Sequence, residues 1–268
     1  MKDRISIDMK DGVADVRMIR ADKMNALDEA MFDGLVEAGE KLMAMKGLRA
    51  VVLSGEGRAF CAGLDMGRFE AMKTQGAQIA GARDLRARTH GPANKPQWAA
   101  WVWRELPVPV IAAVHGVALG GGFQLALGAD MRYATPDCKM SILEIRWGLV
   151  PDVAGTQIMR HLAREDIVRE LTYSGRIFSG EEGFQYGFVT RVTADPRAAA
   201  LETAREIASK NPHAIRAAKR LLNLAVVTDV QTGLEAESVE QFALIGSPNQ
   251  IEAVKAQMEK RAANFTEV

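Results

Sequence analysis

Apolar and polar residues alternate from Ile5 to Asp8 and again from Val13 to Met18, on either side of Lys10-Asp11-Gly12. A period of two interrupted by a turn-forming triplet predicts a β-hairpin. From Leu27 to Met45 the period changes. Leu27, Met31, Phe32, Leu35, Leu42 and Met43 fall on one helical stripe, with Asp28 and Glu29 in the first turn and Lys46-Gly47 at the end. Arg49 to Ser54 reads as a short buried strand ended by Gly55-Glu56-Gly57. Val108 to Val114 is a β-branched run suited to a second buried strand, followed by a turn over 116–122 and a helix starting at Phe123. Short strands are expected at Met131–Ala134 and Met140–Ile142.

Two passages, near residues 49–72 and 108–128, therefore share one form: apolar strand, glycine-bearing loop, helix. They suggest a ββα-type unit repeated as a spiral, an α/β fold. Between them, Arg68 to Glu105 is the least regular stretch, with Gly76, Gly81, Gly91 and Pro92 among polar helix formers. Helix with an excursion forming a flap over a pocket is expected there. Trp98, Trp101 and Trp103 follow, and packing of a helix onto the core is preferred over an acyl-chain wall. Beyond residue 178 the chain turns helical. Ser179 with Glu182 makes a capping box, Asp195-Pro196 marks another start, and helices follow from His213 and about Asn249. The expected division is a core over 1–195 and a C-terminal helical oligomerisation region over 196–268.

Composition narrows the classes. In 268 residues, 48% are hydrophobic and 25% charged, which is enough apolar material for a core, and the formal net charge is +0. Neither a nucleic-acid footprint nor a basic membrane patch follows, so an anionic ligand must be met locally. The apolar stretch Pro107–Leu127 is broken by Pro109, His115, Gln124 and several glycines, and reads as strand, turn and helix rather than a membrane span. The start, Met1-Lys2-Asp3-Arg4-Ile5, lacks the apolar run of a signal peptide. Cys61 and Cys138 form no CxxC pair and no His cluster has metal spacing, so a reduced, cytoplasmic protein without a metal is expected.

Two glycine loops carry the candidate chemistry. In Ala59-Phe60-Cys61-Ala62-Gly63-Leu64-Asp65, a glycine lets a ligand approach the backbone, and the Leu64 amide can point into the space. In Ala118-Leu119-Gly120-Gly121-Gly122-Phe123-Gln124, three glycines after a buried strand expose the unpaired N–H groups of a helix start. A dinucleotide loop is disfavoured, because Leu125 stands where GxGxxG needs its third glycine. GxxxxGK[ST] and GxSxG are both absent, which argues against a P-loop and a serine-hydrolase elbow. Cys61, between Phe60 and Ala62, reads as a packing residue rather than a nucleophile.

In order along the chain, Asp22-Lys23-Met24-Asn25-Ala26-Leu27, Gly57 to Gly63, Pro107 to Gly116, Ala118 to Gly122, Gly148-Leu149-Val150-Pro151 and Lys260 to Phe265 resemble the crotonase superfamily, the enoyl-CoA hydratase/isomerase family. The resemblance implies a crotonase-like spiral of ββα units with a C-terminal helical region, assembled as homotrimers or dimers of trimers. It implies an acyl-CoA thioester substrate, with coenzyme A as the carrier and no permanently bound cofactor. By the same resemblance, the amides of Leu64 and Gly121 would hold the thioester oxygen as it becomes an enolate. Lys23, Met24 and Ala26, with the backbone of Ala62, Asp65 and Met66, would take the adenine and pantetheine; a solvated surface role for Lys23 stays open.

The reaction depends on the carboxylates. Hydratases of the superfamily carry one glutamate two residues after the third glycine and another four residues before a later glycine. Here those positions hold Gln124 and Glu144. An amide cannot exchange protons at neutral pH, so the water-activating pair is incomplete, although Gln124 could still hold a water. Asp152, after Pro151, resembles the aspartate of dienoyl-CoA isomerases, with a helix cap as its other reading. Three readings stand. They are a double-bond isomerase using Glu144 and Asp152, a hydratase in which Gln124 positions water for Glu144, and a non-catalytic acyl-CoA-binding protein.

Overall fold

The structure, a computed structural model, describes residues 3–75 and 84–267. Its first elements follow the alternation. β1 (Ile5–Lys10) and β2 (Val13–Met18) pair antiparallel, with Asp11 and Gly12 both at positive φ in the turn. α1 (Glu29–Met43) begins two residues later than the apolar stripe suggested. Asp28 is its N-cap, its side chain accepting from the Met31 amide at 2.8 Å, while Leu27 is bridged to Leu64 instead.

β3 (Ala50–Gly55) pairs parallel with β2, and β4 (Val110–Val114), β6 (Met131–Ala134) and β8 (Arg191–Val192) extend the sheet in the order β1-β2-β3-β4-β6-β8. β3 and β4 are buried throughout, so both faces must be covered. Alternate residues do this. Val51 and Leu53 join the main core, whereas Ala50 and Val52 face α8 (Pro196–Ala208), whose Ala199, Ala200, Ala204 and Ala208 lie against the sheet. Small residues let this helix approach closely.

A second layer supplies the site. β5 (Val117–Leu119), which the glycine-rich sequence suggested was only a turn, pairs parallel with β7 (Lys139–Ser141). Single bridges continue the layer: Leu27 to Leu64, Cys61 to Ala118, and Met140 to Phe178. Each pass of the spiral thus gives one strand to the large sheet and one extended segment to the small layer. It then enters a helix, α2 (Met66–Gln75) after the first pass and α4 (Gly121–Leu127) after the second. α3 (Lys95–Glu105), capped by Asn94 and Gln97, packs on α1. Trp103 is buried, its indole N–H donating to Ala99 O at 2.9 Å, so it is a core residue. Residues 76–83, in the stretch expected to form a flap, lie outside the described residues. Cys61 and Cys138 are both buried free thiols.

Toward the C-terminus, α5 (Gly155–Met159), α6 (Glu165–Ser174) and α7 (Gly180–Tyr186) precede α8, and the Ser179–Glu182 capping box is present in full. α9 (Pro212–Ala225) is anchored by Lys219, buried and donating to Trp103 O, Val108 O and Asp130 Oδ2. α10 (Val230–Leu244), not anticipated from the sequence, has no buried residue, and α11 (Pro248–Glu259) follows it.

Candidate active site

The two glycine loops meet in the second layer. Cys61 N–H donates to Val117 O at 3.0 Å and Leu119 N–H returns to Cys61 O at 3.1 Å, laying the loops side by side. Gly63 stands at φ +88°, and a Cβ there would lie 2.5 Å from Leu119 O and 3.9 Å from Gly121 N. Gly120 has φ 52° and ψ −121°, a conformation closed to side-chain-bearing residues, and its own N–H is held by Ser141 O at 2.9 Å. These constraints leave two amides unengaged. Neither Leu64 N–H nor Gly121 N–H, the latter at the head of α4, meets an acceptor among the described residues. Two fixed donors converging on one space can stabilise an oxygen that gains negative charge, with no reorganisation at the moment of reaction.

Both loops border a cavity of ≈ 390 Å³. Gly63, Leu64, Gly120 and Gly121 line it together with Glu144 and Asp152, and with Phe69, Met72 and Trp147. Phe69 and Trp147 stack with ring centroids 4.2 Å apart, forming an apolar wall suited to a hydrocarbon chain.

Glu144 opens a 3-10 turn, Glu144–Trp147, and is only 8% exposed. One carboxyl oxygen, Oε1, accepts from Gln124 Nε2 at 2.6 Å, and the other, Oε2, is buried without a partner among the described residues. Burial pushes its pKa up, the Gln124 hydrogen bond opposes that, and the charge of Asp152 adds to the rise. Asp152 is accessible as a residue, yet its carboxyl is hemmed in by the cavity wall, and burial raises its pKa too. The absence of a Cβ at Gly120 matters here as well, since one would lie 3.2 Å from Glu144 Oε1.

Gln124 is placed differently from the water-holding role considered for it. It is fully buried behind Glu144, off the cavity surface. Its Oε1 accepts from Val153 N–H and Gly155 N–H, each at 2.9 Å, while its Nε2 holds Glu144. The oxygen that would bind a water's proton is thus occupied. Gln124 ties the glycine loop, Glu144 and the segment after Asp152 into one unit.

A sequence profile described as enoyl-CoA hydratase/isomerase matches residues 8–268. The chain belongs to the enoyl-CoA hydratase/isomerase family. It is 35% identical over 261 residues to the mitochondrial Delta(3,5)-Delta(2,4)-dienoyl-CoA isomerase of Mus musculus, covering 93% of this chain and 77% of that one. It is 30% identical over 262 residues to the mitochondrial methylglutaconyl-CoA hydratase of the same species, covering 95% and 79%. Among solved structures, the enoyl-CoA hydratase of Bacillus anthracis superposes with a TM-score of 0.88 at 30% identity, with 98% of each chain covered. The fold is that of the crotonase superfamily, whose members are enzymes acting on CoA thioesters without a resident cofactor.

Within this family member the residues expected to meet CoA fall into two groups. Ala62 and Met66 line the cavity with Leu64. Lys23 ends an exposed 3-10 turn, Ala21–Lys23, and Met24 and Asn25 follow at positive φ. Asn25 pins that loop by accepting from Arg20 N–H and donating to Glu56 O and Ala59 O. Met24 O accepts from Ala62 N–H, which joins the loop to the first glycine segment. Asp65 is turned to Arg20, at 2.6 Å, and caps α2 through Gly67 N–H; Arg20 also donates to Ala26 O. Asp65 and Ala26 therefore shape the loop and do not line the cavity. Phe69, Met72 and Trp147 were missed in the sequence. A tryptophan three residues after Glu144, in a turn closed by Gly148, was the available signal.

Proposed function

We propose that this chain is a CoA-dependent double-bond isomerase acting on an enoyl- or dienoyl-CoA. The carrying observation is the pair of cavity carboxyls, Glu144 and Asp152, both shifted toward their protonated forms, with Glu144 Oε2 buried and unpartnered. The thioester oxygen lies between the Leu64 and Gly121 amides. An ionised carboxylate of the pair takes a proton from C2, and the C–H electrons move into the thioester to give the enolate. The enolate then returns its electrons to the chain, whose far conjugated carbon takes a proton from the other carboxyl. No water is added. The two carboxyls have exchanged protonation states, and a proton passing through solvent at the accessible Asp152 resets them. On a 3-enoyl-CoA, one carboxyl performs both transfers, from C2 to C4.

The Lys23–Ala26 loop and the backbone from Ala62 to Met66 take the CoA portion in this reading. Lys23→Ala then raises KM with kcat unchanged, the pattern of lost uniform binding. Assembly into trimers or dimers of trimers belongs to the same proposal. It is supported by α10 and its flanks, where Val230, Leu234, Val239, Phe242 and Ile245 are exposed. Sedimentation equilibrium tests it, with Phe242→Glu expected to dissociate the assembly and a monomeric parent protein contradicting it.

Hydration by Glu144 is the second reading, favoured by the unengaged Oε2, which suits a water as well as a carbon-bound proton. The separating experiment incubates the protein with 2-enoyl-, 3-enoyl- and 3,5-dienoyl-CoA of several lengths and follows the ultraviolet spectrum. Isomerisation moves double bonds into conjugation and raises absorbance. Loss of 2-enoyl absorbance alone would replace the isomerase reading with hydration.

A further inference from the structure

Trp147 stands three residues after Glu144 in the 3-10 turn Glu144–Trp147. In a 3-10 helix, side chains at i and i+3 project from one face, one turn or about 6 Å apart along the axis. Here both line the cavity. Their spacing is fixed by the turn, because Gly148 N–H donates to Ile145 O and Leu149 N–H to Glu144 O, each at 3.1 Å, and Gly148 ends it at φ +71°. Glu144 itself is held by Gln124 at 2.6 Å. The other ring of the aromatic stack, Phe69, belongs to α2, which starts two residues after Leu64. That helix is tied to α1 by Arg68 Nη1, which donates to Glu29 Oε2 at 2.9 Å. The stacked rings therefore join the segment that follows one oxyanion donor to the turn that carries the glutamate.

Even with this contact, Trp147 is 45% exposed and Phe69 only half-buried. Both line the cavity, so the pair offers apolar area that a hydrocarbon chain can cover, and covering it favours binding. In the proposed reaction Glu144 works on the carbons from C2 to C4. A chain whose C2–C4 segment faces the carboxyl has its later carbons within reach of the indole one turn away, whereas a four-carbon chain ends short of it. We infer that the Phe69–Trp147 pair is the specificity-determining element for the acyl chain, selecting chains that run past C4 over shorter ones. This rests on the proposed acyl-CoA chemistry of the same cavity.

Affinity for saturated chains tests the selection without requiring turnover. Acyl-CoAs of even length from butanoyl to dodecanoyl are titrated calorimetrically against the whole protein. Each methylene that reaches the pair should tighten binding by up to about fourfold. Octanoyl-CoA should therefore bind at least about tenfold tighter than butanoyl-CoA. Trp147→Ala should remove most of that rise and change butanoyl-CoA affinity little, whereas Trp147→Phe, which keeps an aromatic ring on Phe69, should retain most of it. Phe69→Ala should act in the same direction as Trp147→Ala, and this variant keeps the test informative if Trp147→Ala folds poorly. A pair that only braces the Glu144 turn would weaken every length alike when truncated, and that result would overturn the inference. Equal affinity of butanoyl- and octanoyl-CoA for the parent protein would overturn it too. Turnover assays on the unsaturated counterparts report separately. Selection by chain length with no conversion contradicts the isomerase reading and leaves the pair its role, whereas conversion without selection does the reverse.

Discussion

The two functional halves of the site are built by different means. On the oxyanion side, the Leu64 and Gly121 donors belong to backbone fixed by inter-loop hydrogen bonds and by two glycines whose conformations exclude a Cβ. On the acid–base side, Glu144 and Asp152 are side chains, and Glu144 is oriented through another side chain, Gln124. Stabilising an enolate is common to many reactions of a CoA thioester, so it can be carried by backbone that tolerates change in the surrounding residues. What happens to the enolate depends on which carboxyls face it. In the proposed mechanism, substitutions at positions 144 and 152 should therefore alter the outcome while the oxyanion hole persists.

The largest effect should come from removing the acid–base side. Glu144→Gln keeps the shape and the Gln124 contact but cannot carry a proton, so kcat should fall by about 10²–10⁴ with acyl-CoA affinity retained. Normal turnover would remove Glu144 from both the isomerase and the hydratase schemes. Breaking the other side with Gly63→Ala forces a Cβ against Leu119 O at 2.5 Å and displaces the Leu64 amide. Loss of that donor should lower kcat by roughly 10²–10³. Circular dichroism must show the fold intact for the comparison to stand. Asp152→Asn sharpens the contrast within the acid–base side, since conversion of 3,5-dienoyl-CoA should collapse while a 3-enoyl shift run by Glu144 alone survives. Equal losses on both substrates would mean that Asp152 serves every step.

Smaller effects follow from the wiring. Gln124→Leu orphans the Val153 and Gly155 amides and strips Glu144 of its donor. Stability should drop by about 1–3 kcal/mol per buried group left unpaired, read from denaturant melts. The acid limb of the rate profile should move to higher pH, because the hydrogen bond that opposes the rise in the Glu144 pKa is gone. A last effect concerns pH and stability. Both carboxyls lie above their ordinary values of 4.5 and 3.8. Their contribution to stability is therefore complete below those values and is lost as pH rises through the raised ones. Glu144→Gln, neutral at all pH, should gain in Tm over the parent protein near neutrality, and the gain should shrink in acid. An equal gain at every pH would place the effect in packing instead.

The backbone half of the site was legible in the sequence because glycine leaves a mark. Gly63, Gly120 and Gly122 stand where only a residue without Cβ fits, and the order of the glycine loops along the chain with the flanking motifs carries the family resemblance. The alternation in Ile5–Met18 and the apolar runs at 49–54 and 108–114 gave the strands for a similar reason, since strand period is local. The side-chain half was less visible. That Gln124 faces inward to three partners, and that Phe69 stacks on Trp147, are consequences of packing between segments far apart in sequence. β5 read as a turn because its glycine-rich surroundings outweighed three residues of strand. α10 was missed because its apolar residues, exposed in the single chain, form no stripe against the core.

The central claim, an enolate held by Leu64 and Gly121 whose fate is set by Glu144 and Asp152, is tested most directly by one reaction in D2O. The protein is mixed with 3,5-dienoyl-CoA, and absorbance and product mass are followed together. Conjugated absorbance should shift without gain of the mass of water, with deuterium entering the acyl chain, and both signals should vanish in Glu144→Gln. A product heavier by one water, or full conversion in Glu144→Gln, would contradict the account.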